Sequence, residues 1–189
     1  MENSMKSEIM AKGAIPPEWM PDAQMERIVC HWSAGEYKAS ETDRQHYHIM
    51  VEDDGQLVRG VYSIADNELC DPEGPTDYAA HTRLTNSRCI GVSVCCMKDA
   101  IEEPFDGGEF PMVKKQWEAM ADVCAQICKR YWIAVTPETV LGHGEVEAIL
   151  GTAQSGKWDP LKLPWEPDLS IPMVGARFRS EVRMRLEEL

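Results

Sequence analysis

The chain has 189 residues, of which 43% are hydrophobic and 27% charged, and its formal net charge is −13. This size and composition predict one globular domain whose core is large enough to fold without covalent cross-links. The acidic balance argues against a general nucleic-acid binder and against adhesion to an anionic membrane, and the sequence contains no apolar run of about 18 residues that could cross a bilayer.

The start of the chain shows no targeting signal. Residues 1–6 lack a basic stretch followed by an apolar core, so we expect synthesis in the cytoplasm without a cleavable signal peptide. Residues 1–25 are polar and contain three prolines, which indicates a mobile lead-in or a loop packed on the body.

Hydrophobic periodicity predicts a sheet built mainly from the first half of the chain. Residues 27–31 read as a short buried strand with His31 at its end, and residues 47–52 alternate in polarity as a second strand. Asp53-Asp54-Gly55 is typical of a hairpin turn, followed by a return strand over residues 56–59. The continuous apolar run at residues 89–96 predicts a central strand that is buried on both faces.

The second half of the chain predicts helices. Apolar residues spaced three or four apart predict an amphipathic packing helix from Pro111 to about Trp132. Residues 145–150 fit one or two helical turns, and a charged helix is expected from about Gly175 to the end of the chain. The seven cysteines form no C-x-x-C pair and lie mostly in apolar runs, which indicates buried, reduced thiols.

Two of the five histidines occupy positions suited to metal binding. His31 lies at a strand end, and His143 lies between two glycines that we expect to leave its ring exposed. Asp159 is the natural third ligand, and three protein ligands with one open position are the arrangement of catalytic zinc. In an extended segment Lys157 would project to the same side as Asp159 and could stabilise an oxyanion.

Simpler interpretations of the same residues stay open at this point. Lys157 and Asp159 could form a surface ion pair in a loop, and Tyr47 could be a core aromatic residue instead of a proton donor in the cleft. A thiol nucleophile at Cys30 is disfavoured, because adjacent strand residues such as Cys30 and His31 point to opposite faces.

Five short segments carry these residues in a fixed order. They are Val29-Cys30-His31-Trp32-Ser33-Ala34, His46-Tyr47-His48-Ile49 through Asp54-Gly55, Ala80-His81 with Asn86 and Ile90-Gly91-Val92, Gly142-His143-Gly144-Glu145, and Lys157-Trp158-Asp159-Pro160. In this order they resemble the zinc-dependent N-acetylmuramoyl-L-alanine amidases related to peptidoglycan recognition proteins, and most of all the single-domain bacteriophage endolysins.

The resemblance implies a role for each matched residue. It implies a zinc ion (Zn²⁺) held by His31, His143 and Asp159, catalytic assistance from Tyr47 and Lys157, and a substrate groove lined by His81 and Asn86. It also implies an α/β fold in which a mixed central sheet is flanked by helices. The domain organisation expected is a lead-in at 1–25, a zinc amidase domain at 26–172 and a C-terminal helix at 173–189.

The chain departs from the family pattern at three places. Ser93 stands where the muropeptide-recycling branch has a glutamate, so Tyr47 favours the phage-like arrangement. Leu161 stands where a glycine often follows Asp-Pro, and the segment between the first two strands is short. These differences put the loop after Asp159 and the shape of one groove wall in question.

The function implied is hydrolysis of the amide bond between N-acetylmuramic acid and L-alanine in peptidoglycan. We expect an endolysin-like monomer that acts on the cell wall after release, with peptidoglycan or a muropeptide as its partner, no nucleic acid and no stable membrane insertion. Two alternatives are a cytoplasmic amidase that recycles soluble muropeptides and a non-catalytic receptor that binds peptidoglycan without zinc.

Overall fold

The computed structural model describes residues 10–189. Residues 1–9 lie outside the described residues; they are the first part of the predicted lead-in and include the start of the chain, where no signal peptide is expected. Among the helices of residues 10–189, none combines the length and the apolar composition needed to cross a membrane.

A six-stranded mixed sheet forms the centre of the protein. Its strands are Met10–Lys12 (β1), Arg27–Trp32 (β2), Ile49–Val51 (β3), Gln56–Arg59 (β4), Cys89–Val94 (β5) and Val140–Gly142 (β6). They are arranged in the order β1-β4-β3-β5-β2-β6. The pairs β3–β5, β5–β2 and β2–β6 are parallel, and the pairs β1–β4 and β4–β3 are antiparallel. The predicted mixed α/β fold is therefore confirmed.

Helices cover both faces of this sheet. The α-helices are Glu41–His46 (α1), Lys114–Tyr131 (α2), His143–Leu150 (α3) and Ile171–Glu188 (α4), and short 3-10 helices span Pro17–Trp19 and Ile64–Asn67. Along β2, Cys30 packs against Cys124 of α2, with their sulfurs 3.5 Å apart, whereas Val29 packs against Val146 of α3 on the opposite face. Since side chains alternate along a strand, His31 shares the face of Val29 and α3.

The cysteines behave as predicted. All seven are free, and six of them are buried, with only Cys70 partly accessible. Cys30 points into the core between β2 and α2, away from the face of His31. A nucleophilic thiol paired with that histidine is therefore not part of this structure.

Several element boundaries differ from the predictions, and the C-terminal helix begins at Ile171, before the expected start near Gly175. Within the predicted lead-in, residues 10–12 form the edge strand β1, and Ile15 and Trp19 are buried in the main core. Helix α2 begins at Lys114 and not at Pro111. The residues before it are held elsewhere: the Met97 N–H donates to the Phe110 carbonyl, and the Gln116 side chain accepts from the Val113 N–H at the helix start.

Tyr47 lies outside the strand to which its alternating pattern assigned it. Helix α1 starts with a capping box between Ser40 and Asp43 and ends at His46, and the N–H of the next residue, Tyr47, donates to the Asp43 carbonyl. Strand β3 begins only at Ile49. Tyr47 therefore occupies the turn between α1 and β3.

Candidate metal centre and active site

Three side chains meet at the carboxyl ends of neighbouring parallel strands. His31 lies near the end of β2, and His143 is the first residue of α3, directly after β6. Asp159 comes from the loop between α3 and α4. One ligand atom from each of the three lies within 4.8 Å of the others, and all three residues are buried.

The carboxylate of Asp159 stands between the two imidazoles. Its Oδ2 is 3.1 Å from His31 Nδ1 and 3.3 Å from His143 Nδ1. Burial lowers the pKa of His31 to about 4, with the contact to Asp159 opposing this shift. At neutral pH the site therefore contains a carboxylate beside a neutral His31.

The residues behind His31 determine which of its nitrogens faces the site as an acceptor. His81 Nε2 lies 3.3 Å from the Cys89 carbonyl, which can only accept, so the proton of His81 is on Nε2. His81 Nδ1 then accepts, and it lies 3.2 Å from His31 Nε2 and 2.8 Å from the Thr82 hydroxyl. This network places the proton of His31 on Nε2 and leaves the Nδ1 lone pair directed at Asp159. A lone pair and a carboxylate 3.1 Å apart are stabilised by a cation between them, so the donor set fits a metal ion.

The glycines on either side of His143 have a different role from the one expected. His143 is only 6% exposed, so the prediction of an exposed ring is wrong. A Cβ atom on Gly142 would lie 2.5 Å from Leu161 Cγ, and one on Gly144 would lie 2.9 Å from Trp158 Cα. The glycines are needed because the segment carrying Asp159 approaches this turn closely, and Leu161 is the buried side chain that fills the space above Gly142.

The turn that carries His143 is fixed by a buried ion pair. Glu145 accepts from the Gly142 N–H at 3.1 Å and pairs with both terminal nitrogens of Arg179 at 2.8 and 2.9 Å. Arg179, on α4, also donates to the Val140 carbonyl of β6 at 3.1 Å. The C-terminal helix is thereby attached to the strand and helix on either side of His143.

Tyr47 and Lys157 lie beside the same cavity as the metal cluster. The cavity has a volume of about 230 Å³, and both residues line it together with His81, His143 and Asp159. The Tyr47 ring centroid is 5.1 Å from that of His31. Burial and the charge of Asp159 raise the pKa of Tyr47 above its usual value, so Tyr47 is a neutral phenol that can donate a hydrogen bond. Lys157 is exposed.

His81 and Asn86 line a second cavity, of about 380 Å³, which shares His81, His143 and Lys157 with the first. Their polar atoms, however, are bonded within the protein. Asn86 Oδ1 accepts from the backbone N–H groups of His81 and Thr82 at 3.1 and 2.9 Å. Contact of these two residues with substrate stays a prediction, and the structure adds for each a bond that supports the groove wall.

Sequence reasoning missed several residues that support the site. Gln154 lies 3.0 Å from His143 Nε2, Thr82 lies beside His81 and His31, and Arg179 binds Glu145. Each is a single polar residue with no local pattern that would indicate a partner far along the chain.

Ser93, which the sequence pattern did single out, is paired with His31 in the register of β2 and β5 and is completely buried.

A further histidine, His48, supports the groove wall through hydrogen bonds to Gly91 and Asn67. It accepts from the Gly91 N–H at 2.9 Å through Nδ1 and donates to Asn67 Oδ1 at 3.0 Å through Nε2. Asn67 in turn donates to the carbonyls of Ala79 and Asn86. Burial lowers the pKa of His48 to about 4, opposed by the hydrogen bond to Asn67.

We expect the His48→Asn variant to lose less stability in acid than the unmodified protein does. Between pH 6.5 and 4 an unfolded His48 binds a proton that the folded one refuses, so the free energy of unfolding falls as pH falls, by up to about 1.4 kcal/mol per pH unit. The His48→Asn variant should be less stable at pH 7 because the bond to Asn67 is lost. It should, however, lack the contribution of His48 to the pH dependence of the free energy of unfolding. Urea unfolding at pH 7 and pH 5 with a chelator measures the difference, and equal slopes in the two proteins would contradict the assignment.

Several solved structures align with this chain at low sequence identity. The structure of PlyL aligns at 19% identity with a TM-score of 0.48, over 89% of this chain and 92% of that one. The Ph2119 endolysin from Thermus scotoductus MAT2119 bacteriophage Ph2119 aligns at 16% identity with a TM-score of 0.47, over 85% of this chain and 88% of that one. The endolysin N-acetylmuramoyl-L-alanine amidase LysCS from Clostridium intestinale URNW aligns at 15% identity with a TM-score of 0.41, over 71% of this chain and 91% of that one.

Sequence comparison gives a more specific result. No curated protein matches the chain. The sequence pattern of the N-acetylmuramoyl-L-alanine amidase family matches residues 21–162. This segment is most of the chain, and it contains His31, His143 and Asp159. The protein therefore belongs to the N-acetylmuramoyl-L-alanine amidase family.

Proposed function

We propose that this protein is a zinc-dependent hydrolase of peptidoglycan, which cleaves the amide bond between N-acetylmuramic acid and the L-alanine of the stem peptide. One observation carries the proposal: ligand atoms of His31, His143 and Asp159 converge within 4.8 Å beside a cavity that Tyr47 and Lys157 also line. The family supplies the class of bond, and this cluster supplies a means of cleaving it.

His31, His143 and Asp159 would hold the metal. Two imidazole nitrogens and a carboxylate oxygen suit Zn²⁺, and three protein ligands leave one coordination position open. When bound there, zinc lowers the pKa of a coordinated water towards about 7 and polarises the scissile carbonyl. The burial of the three ligands keeps bulk water away from this charge and strengthens the electrostatic interactions in the site.

Lys157 and Tyr47 would act on the oxygen of the scissile carbonyl. The exposed ammonium group of Lys157 can move within the cavity and stabilise the negative charge that forms there. The neutral phenol of Tyr47, across the cavity, donates a hydrogen bond to the same oxygen or orients the attacking water. Neither residue is needed to hold the metal.

The surface beside the site suits an extended substrate. The cavity of about 380 Å³ next to the metal cluster shares two lining residues, Arg83 and Asn86, with a third cavity of about 370 Å³. The segment of residues 80–87 contributes lining residues to both cavities. A muropeptide, with its sugar at one end and its stem peptide at the other, would occupy such a groove, in contact with the accessible edges of His81 and Asn86.

The proposal extends to an endolysin of phage or prophage origin. Ser93 stands where the recycling branch carries its glutamate, and Tyr47 lies beside His31, as in the phage-like arrangement that the motifs resemble. The protein would act as a monomer on the intact wall after release from the cytoplasm in which it is made. A recycling amidase would instead act on soluble muropeptides, and a receptor would bind the wall without cleaving it.

Digestion of purified sacculi tests this function directly. We expect turbidity to clear, new α-amino groups of L-alanine to appear by mass spectrometry without new reducing sugar ends, and a chelator to stop the reaction until zinc is restored. Cleavage of soluble muropeptides alone would favour recycling. Binding of sacculi without new ends and without zinc would support a receptor and overturn the proposal.

We expect the Lys157→Met variant to keep its zinc and lose about 10²–10³-fold in kcat, because a stabilising charge is removed from the developing oxyanion. The assay is the rate of release of L-alanine amino groups, with metal content measured on the same sample. Lys162→Met is the matched control, since Lys162 lies in the same segment but over the Phe105 ring. Equal rates for both variants would remove Lys157 from the mechanism.

A further inference from the structure

We propose that Gln154 is the positioning residue of the metal ligand His143: it keeps the imidazole proton on Nε2 and thereby directs the Nδ1 lone pair at the metal. The inference rests on the proposed function only in taking the metal to be zinc. Gln154 lies in the loop after α3 and is only 4% exposed. Its side chain contacts His143 on one side and two backbone carbonyls on the other.

The hydrogen-bond partners determine the orientation of the Gln154 amide. One end of the amide lies 3.1 Å from the Arg83 carbonyl and 3.2 Å from the Thr152 carbonyl. Carbonyl oxygens only accept, so this end is the NH₂ group. The end that lies 3.0 Å from His143 Nε2 is therefore the oxygen Oε1.

The amide orientation in turn determines the tautomer of His143. An amide oxygen only accepts, so the ring nitrogen that faces it must carry the proton. A neutral imidazole has one N–H, and with that proton on Nε2, Nδ1 keeps its lone pair. This lone pair points towards Asp159 Oδ2, 3.3 Å away, where the metal would lie. The competing tautomer would protonate the nitrogen that binds the metal.

The backbone holds Gln154 in this position. Its N–H donates at 2.9 Å to Glu147, which lies on the helix that His143 begins. The loop is thus tied back to its own helix. The orienting oxygen consequently needs no large rearrangement when the metal binds.

The same stretch of the groove wall supports both histidine ligands. His81 and Thr82 contact the outer nitrogen of His31, and the carbonyl of Arg83, the next residue, holds the amide that orients His143. Three consecutive residues thus fix the outer sides of two metal ligands that are 112 positions apart in the sequence. Gln154 is the residue that extends this support to the second ligand.

The test compares two substitutions of Gln154. Gln154→Leu removes the acceptor, and we expect zinc affinity to fall about 10–100-fold in a competition with a chromogenic chelator. Gln154→Glu keeps an oxygen facing His143 Nε2, so we expect its affinity to stay within about threefold of the unmodified protein. Both variants lose the donation to two carbonyls, and both should melt at lower temperature. A leucine variant with unchanged affinity, or a glutamate variant that loses as much as leucine, would overturn the assignment.

A matched control and a second readout separate positioning from a general loss of stability. Gln126 also holds a loop, accepting from Ile15 N–H and donating to the Gly13 carbonyl, but it lies on α2 away from the site. Gln126→Leu should lower the melting temperature and leave zinc affinity unchanged. In the metal-free protein, ¹⁵N chemical shifts should show His143 with its proton on Nε2, and a mixture of tautomers in Gln154→Leu. A mixture in the unmodified protein would contradict the inference.

The outcome is distinguishable from that of the proposed function. A protein that binds zinc with the expected dependence on Gln154 but cleaves no peptidoglycan would overturn the function and support this inference. The opposite result is also possible. If the protein clears sacculi but its Gln154→Leu variant keeps its zinc affinity and a single His143 tautomer, the function would be supported and this inference overturned.

Discussion

The Asp159→Ala variant is expected to lose zinc binding and, with it, the clearing of sacculi. Asp159 is the only anionic member of the cluster, and its Oδ2 lies 3.1 and 3.3 Å from the two imidazole nitrogens. Its removal leaves two neutral histidines, so the loss of affinity should exceed the roughly 10–100-fold change caused by altering a residue that only orients a ligand. Zinc content by elemental analysis and the rate of clearing measure the effect.

Two comparisons make the Asp159 result specific. Asp159→Asn keeps the size of the side chain but removes its charge, and we expect it to resemble the alanine variant in zinc content. Asp168→Ala, at an exposed aspartate in the same loop, should behave as the unmodified protein does. Undiminished clearing by a folded Asp159→Ala protein would refute the metal assignment and with it the proposed mechanism.

Of the substitutions proposed for this protein, Arg179→Met is expected to lower the free energy of unfolding the most. Arg179 and Glu145 form a buried ion pair with two hydrogen bonds of 2.8 and 2.9 Å, in which the side chains are 7% and 4% exposed. Removing the arginine leaves the Glu145 carboxylate buried without its counter-charge, which costs about 3–5 kcal/mol. Urea unfolding at pH 7 in the presence of a chelator measures this cost independently of metal binding.

An exposed ion pair on the same helix provides the control. Arg177 pairs with Glu166 at 2.8 Å, but both side chains are more than 40% exposed, so Arg177→Met should cost less than about 1 kcal/mol. The double variant Glu145→Gln/Arg179→Met should recover much of the stability, because the glutamine is uncharged and still accepts from the Gly142 N–H. If Arg179→Met costs no more than Arg177→Met, the pair does not anchor the turn that carries His143.

The secondary structure could largely be predicted because its signals are local. The alternation and apolar runs that define β2, β3 and β5 are visible in short windows, and so is the amphipathic stripe of α2. The start of α2 could not be predicted, because the residues from Pro111 onward are held by contacts with the segment around Met97. The alternating pattern of residues 47–52 predicts a strand that includes Tyr47, but the helix started by the capping box at Ser40 extends to His46 and places Tyr47 in the turn before β3.

The residues of the site that belong to sequence motifs could be predicted, and those outside the motifs could not. His31, His143 and Asp159 could be named from strand ends, glycines and motif order, and the structure brings them together. The glycines around His143 were misread, because the sequence does not reveal that Leu161 and Trp158 pack against them. Gln154 and Arg179 could not be identified, since each is an ordinary polar residue whose partner lies in another element.

The sequence alone determined which residue types are available and in what order: two histidines and an aspartate suited to binding zinc, and a tyrosine and a lysine suited to assisting catalysis. Only the tertiary structure decided which nitrogen of each histidine faces Asp159. That choice depends on acceptors and donors supplied by distant segments, above all residues 81–83 and Gln154. A hydrogen bond has a direction, and the direction exists only once both partners have been placed in space.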